Sequence, residues 1–131
     1  MASPKYVLTM LRMADKDFAA MKLLADADAE LIEIFGFHAQ QCAEKLIKAL
    51  LGHLGIKCAK THDLAELLEP LYRLKAALPS KITQIENLSM FAVEHRYEPL
   101  DQSTAPIDKQ AIIDALSELR AWVQNQVNSC A

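Results

Sequence analysis

Residues 30–54 read ELIEIFGFHAQQCAEKLIKALLGHL, and the spacing within this stretch decides the fold class. Leu31, Phe35, Ala39, Cys42, Leu46, Leu50 and Leu54 recur at steps of three and four. A helix with about 3.6 residues per turn puts them all on one side. The run is too long for a strand and shows no alternation of period two. Gly36 sits inside it at a cost of ~1 kcal/mol against alanine, so it is expected to mark close packing by a neighbour. Gly55, just past the last apolar position, is a better expected C-terminal cap than Gly52.

The same pattern extends in both directions. Upstream, Ser3 and Pro4 form an N-cap with proline at the first helical position. Val7, Leu11, Ala14, Phe18, Met21 and Ala25 follow at helical spacing, until Asp26-Ala27-Asp28 ends or interrupts the helix. Downstream, Thr61-His62-Asp63 opens a third helix that either Thr61 or Asp63 can cap, and Asp63 with Glu66 has capping-box spacing. Leu64, Leu67, Leu68, Leu71, Leu74 and Leu78 supply its apolar face. Pro70 removes a backbone donor within that pattern, so a kink or two short helices in series is expected.

Pro79-Ser80 restarts the chain for a fourth helix carrying Ile82, Ile85, Leu88, Phe91, Ala92 and His95. It is expected to end before Pro99, because proline disfavours helical backbone at Glu98. After a polar loop, Pro106 begins a fifth helix with Ile112, Leu116, Leu119, Val123 and Val127. No strand-like alternation, internal repeat or low-complexity tract interrupts this reading. The expectation is an all-α, up-and-down bundle of about five helices, forming one domain over residues 1–131.

Composition narrows the function classes. A net charge of -3 argues against coating nucleic acid electrostatically, while leaving room for a local basic groove. Three cysteines, Cys42, Cys58 and Cys130, are odd in number and lack C-x-x-C spacing, which reads as reduced cytoplasmic thiols rather than a disulfide frame or zinc site. No apolar run approaches the roughly 18 residues that span a bilayer, and charges at Arg12, Asp15, Lys16 and Asp17 break any signal-peptide pattern. Paired-histidine zinc motifs, phosphate-cradling glycine loops and a nucleophile elbow are all absent. No metal or cofactor is therefore expected.

Two constellations remain. His38, Gln41, Lys45 and Lys48 fall at steps of three, four and three on the second helix, one polar row about 100° from the apolar face. Such a row suits phosphate oxygens and a base edge. The plainer reading is a solvated face, with lysine stems over apolar surface and Glu44 paired to Lys48. The second constellation is Glu94-His95-Arg96-Tyr97-Glu98, where an arginine fork suits an anion and a histidine can move a proton. Its plainer reading is cations complementing a helix dipole. His62, at a helix start, suits either an anion contact or a capping role. His53 is assigned no role.

These residues also carry a family resemblance. Phe37 to Leu51 is similar to the F-H-x-Q-Q-x-x-E-K-x-x-K-A-L-L signature of HEPN domains, and Thr61-His62-Asp63-Leu64 with Leu67-Leu68 is similar to that family's T-H-D-L-x-x-L-L element. Arg96-Tyr97 resembles its R-Y-P-D ending, with Glu98 in the proline position and Pro99 one place later. The resemblance implies a helical bundle that pairs as a homodimer and associates with nucleotide or RNA. It also implies a minimal nucleotidyltransferase partner in a toxin–antitoxin-like pair. Some members are ribonucleases that use an arginine, four to six intervening residues and a histidine.

None of Arg12, Arg73, Arg96 and Arg120 has a histidine at that distance downstream. His95-Arg96-Tyr97 imitates the H-x-Y tail of nuclease members, but Leu88, Ser89 and Met90 occupy the upstream arginine positions. The expectation is therefore a non-catalytic, cytoplasmic binding protein. Lys45, Lys48 and Arg96 would neutralise phosphate, Gln41 and Tyr97 would contact base or sugar, and His62 would assist. The alternatives are a metal-independent ribonuclease using His95 and Arg96, and a structural adaptor with no ligand.

Overall fold

The computed structural model describes residues 3–92 and 107–129. Its five α-helices are α1 (Pro4–Ala25), α2 (Ile32–His53), α3 (Leu64–Arg73), α4 (Ile82–Glu86) and α5 (Lys109–Ser129), with 3₁₀ turns at Ala29–Leu31 and Asn87–Phe91. There are no strands among the described residues. The all-α bundle expected from periodicity is what forms.

α1 starts as the sequence dictates, with the Ser3 hydroxyl accepting the Tyr6 amide at 3.2 Å. The chain then turns through the 3₁₀ segment and α2 runs back along α1. Val7, Leu11, Ala14 and Met21 of α1 are buried against α2. α2 is the centre of the bundle. Beyond the expected stripe it also buries Ala43, Ile47, Ala49 and Leu51, because α1, α3, the 3₁₀ turn and α5 all pack on it. A single stripe underestimates a helix covered on several sides. Only the stripe's ends differ: Leu31 is half-buried and Leu54 is exposed.

Both helix stops that follow are Schellman motifs. At the end of α2, Gly55 adopts φ 75°, the Ile56 amide reaches the Leu51 carbonyl at 2.9 Å, and the Gly55 amide reaches Gly52 at 3.2 Å. This is the expected glycine cap. At the end of α3 the same geometry recurs with Lys75 at φ 55°, the Ala76 amide on Leu71 and the Lys75 amide on Tyr72. A side chain in left-handed backbone is strained where glycine is not. Lys75→Gly is expected to raise stability by about 0.5–1 kcal/mol, read as a Tm increase of roughly 2–4 °C.

Pro70 does not divide this segment into two short helices. α3 runs through the proline as one ten-residue helix and stops three residues later. Leu74, placed on the apolar stripe by spacing, is 62% exposed, while Leu78 rejoins the core after the turn. Pro70 removes the amide that would reach the Glu66 carbonyl, and the stop itself is the Schellman motif at Lys75. Asp63 caps α3 through the Ala65 amide at 3.0 Å, and its own amide donates to the Thr61 hydroxyl at 3.0 Å, taking the place expected of Glu66.

The fourth helix is shorter than its apolar pattern suggests. Five α-helical residues pass into a 3₁₀ turn ending at Phe91. With about three residues per 3₁₀ turn, Leu88 and Phe91 fall on one side, and both are buried. The Phe91 ring lies over Gly36, where an added Cβ would meet ring carbons at 2.2–2.4 Å. The close approach expected at that glycine is this one. α5 closes the bundle through Leu116, Leu119 and Val123. Arg120 fixes it to α1 with a two-pronged contact to Asp15, at 2.8 and 3.2 Å. The Lys109 ammonium caps the C-terminus of α1 on the Ala25 carbonyl at 3.0 Å, 5.8 Å from the Phe35 ring centroid.

Candidate functional site: a carboxylate-centred polar ladder on α2

The predicted row on α2 is real, and two carboxylates organise it. Near the start of the row, Asp17 of α1 accepts from His38 Nδ1 at 3.0 Å and is ion-paired with Lys45. One turn further along, Glu44 receives Lys48 Nζ at 3.0 Å, His62 Nδ1 at 2.8 Å and Gln40 Nε2 at 3.0 Å. Gln40 Nε2 also reaches the His62 carbonyl at 3.3 Å, and Gln40 Oε1 accepts from Gln41 Nε2 at 2.7 Å. The expected Glu44–Lys48 pair is present, but it is one spoke of a hub.

Burial explains why the hub is so densely satisfied. The Glu44 side chain is only 6% exposed and Gln40 is fully buried. A carboxylate withdrawn from water must be paired and hydrogen-bonded. Burial by itself would raise the Glu44 carboxyl, yet the hydrogen bonds from His62, Gln40 and Lys48, with the Lys48 charge, hold it below the ordinary glutamate range. Glu44 is thus an anion whose position fixes its neighbours.

The ladder orients its outer groups without exhausting them. An ionised carboxylate only accepts, so Nδ1 of His62 carries the proton and Nε2 is left for another partner. The His62 side chain is 47% exposed. Each lysine uses one ammonium proton on its carboxylate, leaving two donors apiece. Gln41 retains its Oε1 and one N–H. At the far end of the row Tyr6 lies near Lys48 and Cys58; burial and Cys58 raise its hydroxyl above the ordinary value, against the pull of Lys48.

Of the residues singled out by sequence, Gln41, Lys45, Lys48, His38 and His62 are brought into this one ladder. His62 ties to Glu44, while the capping of α3 belongs to Asp63. His95, Arg96 and Tyr97, with Glu94 and Glu98, lie outside the described residues. His53 Nε2 is buried with no hydrogen-bond partner among the described residues. Cys42 is buried and its thiol is pushed up to about 12 by burial, which makes it a core residue rather than a nucleophile.

Sequence reasoning missed three members: Asp17, Gln40 and the central role of Glu44. A signal did exist. Asp17 lies beside Phe18 of the α1 stripe and Glu44 between Ala43 and Leu46, and an acid among apolar neighbours requires partners once it is buried. The partners themselves come from other helices, which spacing cannot supply.

Fold and ladder together define an all-α bundle whose central helix is built around a buried, multiply hydrogen-bonded carboxylate. The HEPN domain family model matches residues 7–126, and the chain belongs to the HEPN domain family. It is similar to the crystal structure of an archaeal HEPN homologue at 25% identity and a TM-score of 0.67, over 92% of this chain and 97% of that one. No curated protein matches the sequence. The matched region contains every member of the ladder. Among the described residues, no helix is long and apolar enough to cross a membrane.

Proposed function

We propose that this HEPN protein binds the phosphate groups of a nucleotide or RNA along the α2 ladder, without catalysing its cleavage. Lys45 and Lys48 supply charge, Gln41 contacts base or sugar, and His62 offers Nε2. The same role is proposed for Arg96 on phosphate and Tyr97 on base or sugar; both lie outside the described residues. We further propose that the chain acts in the cytoplasm as a homodimer with a minimal nucleotidyltransferase partner, in a toxin–antitoxin-like pair. The observation that carries the binding reading is convergence: Glu44 joins Lys48 of α2 to His62 of the next turn, and both outer groups keep donors or acceptors to spare. Buried groups that fix partly exposed ones are how rigid binding sites are built.

Thermal melting with millimolar ATP or GTP tests this. At ten times Kd a ligand adds about 1.4 kcal/mol, a Tm increase of roughly 5 °C for a chain of this size. The shift is expected to vanish in Lys48→Ala and in Arg96→Ala. Cleavage of single-stranded RNA that His95→Ala abolishes would instead establish the ribonuclease reading.

A second reading, a structural adaptor with no ligand, has one observation in its favour. With neutral imidazoles the two carboxylates balance the two ammonium groups, so the ladder carries no net charge to attract an anion. No melting shift with nucleotide or short RNA, in wild type and variants alike, would establish it.

A further inference from the structure

We infer that His38 and His62 meet phosphate only as imidazolium ions, so that a phosphodiester chain binds the α2 ladder together with protons. This rests on the reading of the ladder as a phosphate site and adds what controls it. The starting point is an arrangement that occurs twice. Asp17 takes His38 Nδ1 on Oδ1 at 3.0 Å and the Lys45 ammonium on Oδ2. Glu44 takes His62 Nδ1 on Oε1 at 2.8 Å and Lys48 Nζ on Oε2 at 3.0 Å. Each carboxylate thus holds one imidazole and one ammonium side by side, and the two stations follow one another along α2.

The carboxylates fix the tautomer. An ionised carboxylate accepts and never donates, so in each neutral ring the single proton sits on Nδ1 and Nε2 presents a lone pair. The Nε2 atoms make no hydrogen bond among the described residues, and the two side chains are 29% and 47% exposed. A phosphodiester oxygen also only accepts. Lone pair would face lone pair, and contact requires a second proton on the ring, which turns it into a charge-assisted donor. Glu44, held below the ordinary glutamate range, stays ionised through neutral pH and balances the charge that His62 gains.

Charge leads to the same result. While both rings are neutral, Asp17 and Glu44 cancel Lys45 and Lys48. Protonating both rings leaves the ladder net positive, which is what a phosphate chain attracts and the resting ladder lacks. Among the described residues, His38 faces Asp17 of α1, with Lys45 on the same carboxylate. His62 faces Glu44 of α2, with Lys48 on the same carboxylate, and has Lys60, Asp63 and Glu66 close along its own chain. The 3₁₀ turn Asn87–Phe91 packed on α3 has no titratable side chain, and Glu86 of α4 is engaged by Tyr72 at the far end of α3. Histidine changes charge within the physiological range, and binding that takes up protons strengthens as pH falls.

Isothermal titration calorimetry of the full chain with octauridylate tests this. Made without terminal phosphates, that probe keeps its own charge between pH 6 and pH 8. Affinity is expected to rise at least about tenfold from pH 8 to pH 6. Titrations at pH 7 in two buffers of different ionisation enthalpy should show uptake of roughly one proton per oligonucleotide bound. His38→Gln and His62→Gln should each remove about half of that uptake and flatten the profile, and the double variant should abolish both effects. Variants that lose affinity equally at both pH values, with uptake unchanged, would show the rings to be merely structural and overturn the inference. Wild-type affinity that stays level from pH 6 to pH 8 overturns it too, yet leaves the phosphate reading standing. Absence of binding at both pH values also overturns it, while the ATP melt decides the nucleotide reading separately.

Discussion

Glu44→Ala is expected to lower stability by about 3 kcal/mol, roughly 10 °C in Tm, measured by urea and thermal unfolding at pH 7. Removing one member of a buried charged network costs more than an average substitution, because its partners keep their charge or polarity and lose their acceptor. The cost stays at the lower end of the range for such sites because Lys48 and His62 are partly exposed and water can reach them. Gln40 is fully buried, but it retains the His62 carbonyl and Gln41. Glu44→Gln keeps the shape and one acceptor, and should cost about half as much.

The same residue sets an acid limit. Its folded pKa lies below the ordinary 4.5, so its contribution is fully present above that value and is lost as pH falls below it toward the folded value. Wild-type stability should therefore fall more steeply with acidification below pH 4.5 than that of Glu44→Gln. Parallel curves for the two proteins would show that Glu44 is not the group responsible.

Gly36→Ala is the second large expectation, and its direction opposes helix propensity. Alanine is worth about 1 kcal/mol more than glycine inside a helix. Here the new methyl would lie 2.2–2.4 Å from the Phe91 ring, which is itself 5% exposed and fixed in the core. Overpacking of this kind costs about 1–3 kcal/mol and occasionally more, so a net loss of about 2 kcal/mol is expected by chemical denaturation. A double-mutant cycle identifies the cause. In a Phe91→Ala background the ring is gone, so Gly36→Ala should be neutral or stabilising. An equal loss in both backgrounds would show that the ring contact is not what excludes a side chain at this position.

The sequence was most informative where physics is local. Ser3 and Gly55 cap the ends they were expected to cap, and Asp63 is one of the two caps offered for α3, since a cap needs only the residue and its neighbours along the chain. The apolar registers of α1, α2 and α5 foretold their buried faces for the same reason. Local rules did less well where a competing contact intervenes. α3 runs through Pro70 as one helix and ends at the Schellman motif of Lys75, before the apolar pattern does. The fourth apolar stretch tightens into a 3₁₀ turn so that Leu88 and Phe91 both reach the core.

The candidate site divides along the same line. The spacing of His38, Gln41, Lys45 and Lys48 placed them in one row, because side chains three and four apart share a helix face. Their chemistry was not legible there. Asp17 lies 28 residues before Lys45, and His62 lies 18 after Glu44. Only packing brings such groups to hydrogen-bonding distance and withdraws Glu44 from water. The stretch from residue 30 to 55 thus determined by itself that this segment is helical, where the helix stops and where a neighbour must come close. The tertiary structure alone decided that Phe91 is that neighbour and that a buried carboxylate holds the polar row in place. Periodicity is a property of one segment, whereas burial and pairing belong to several segments at once.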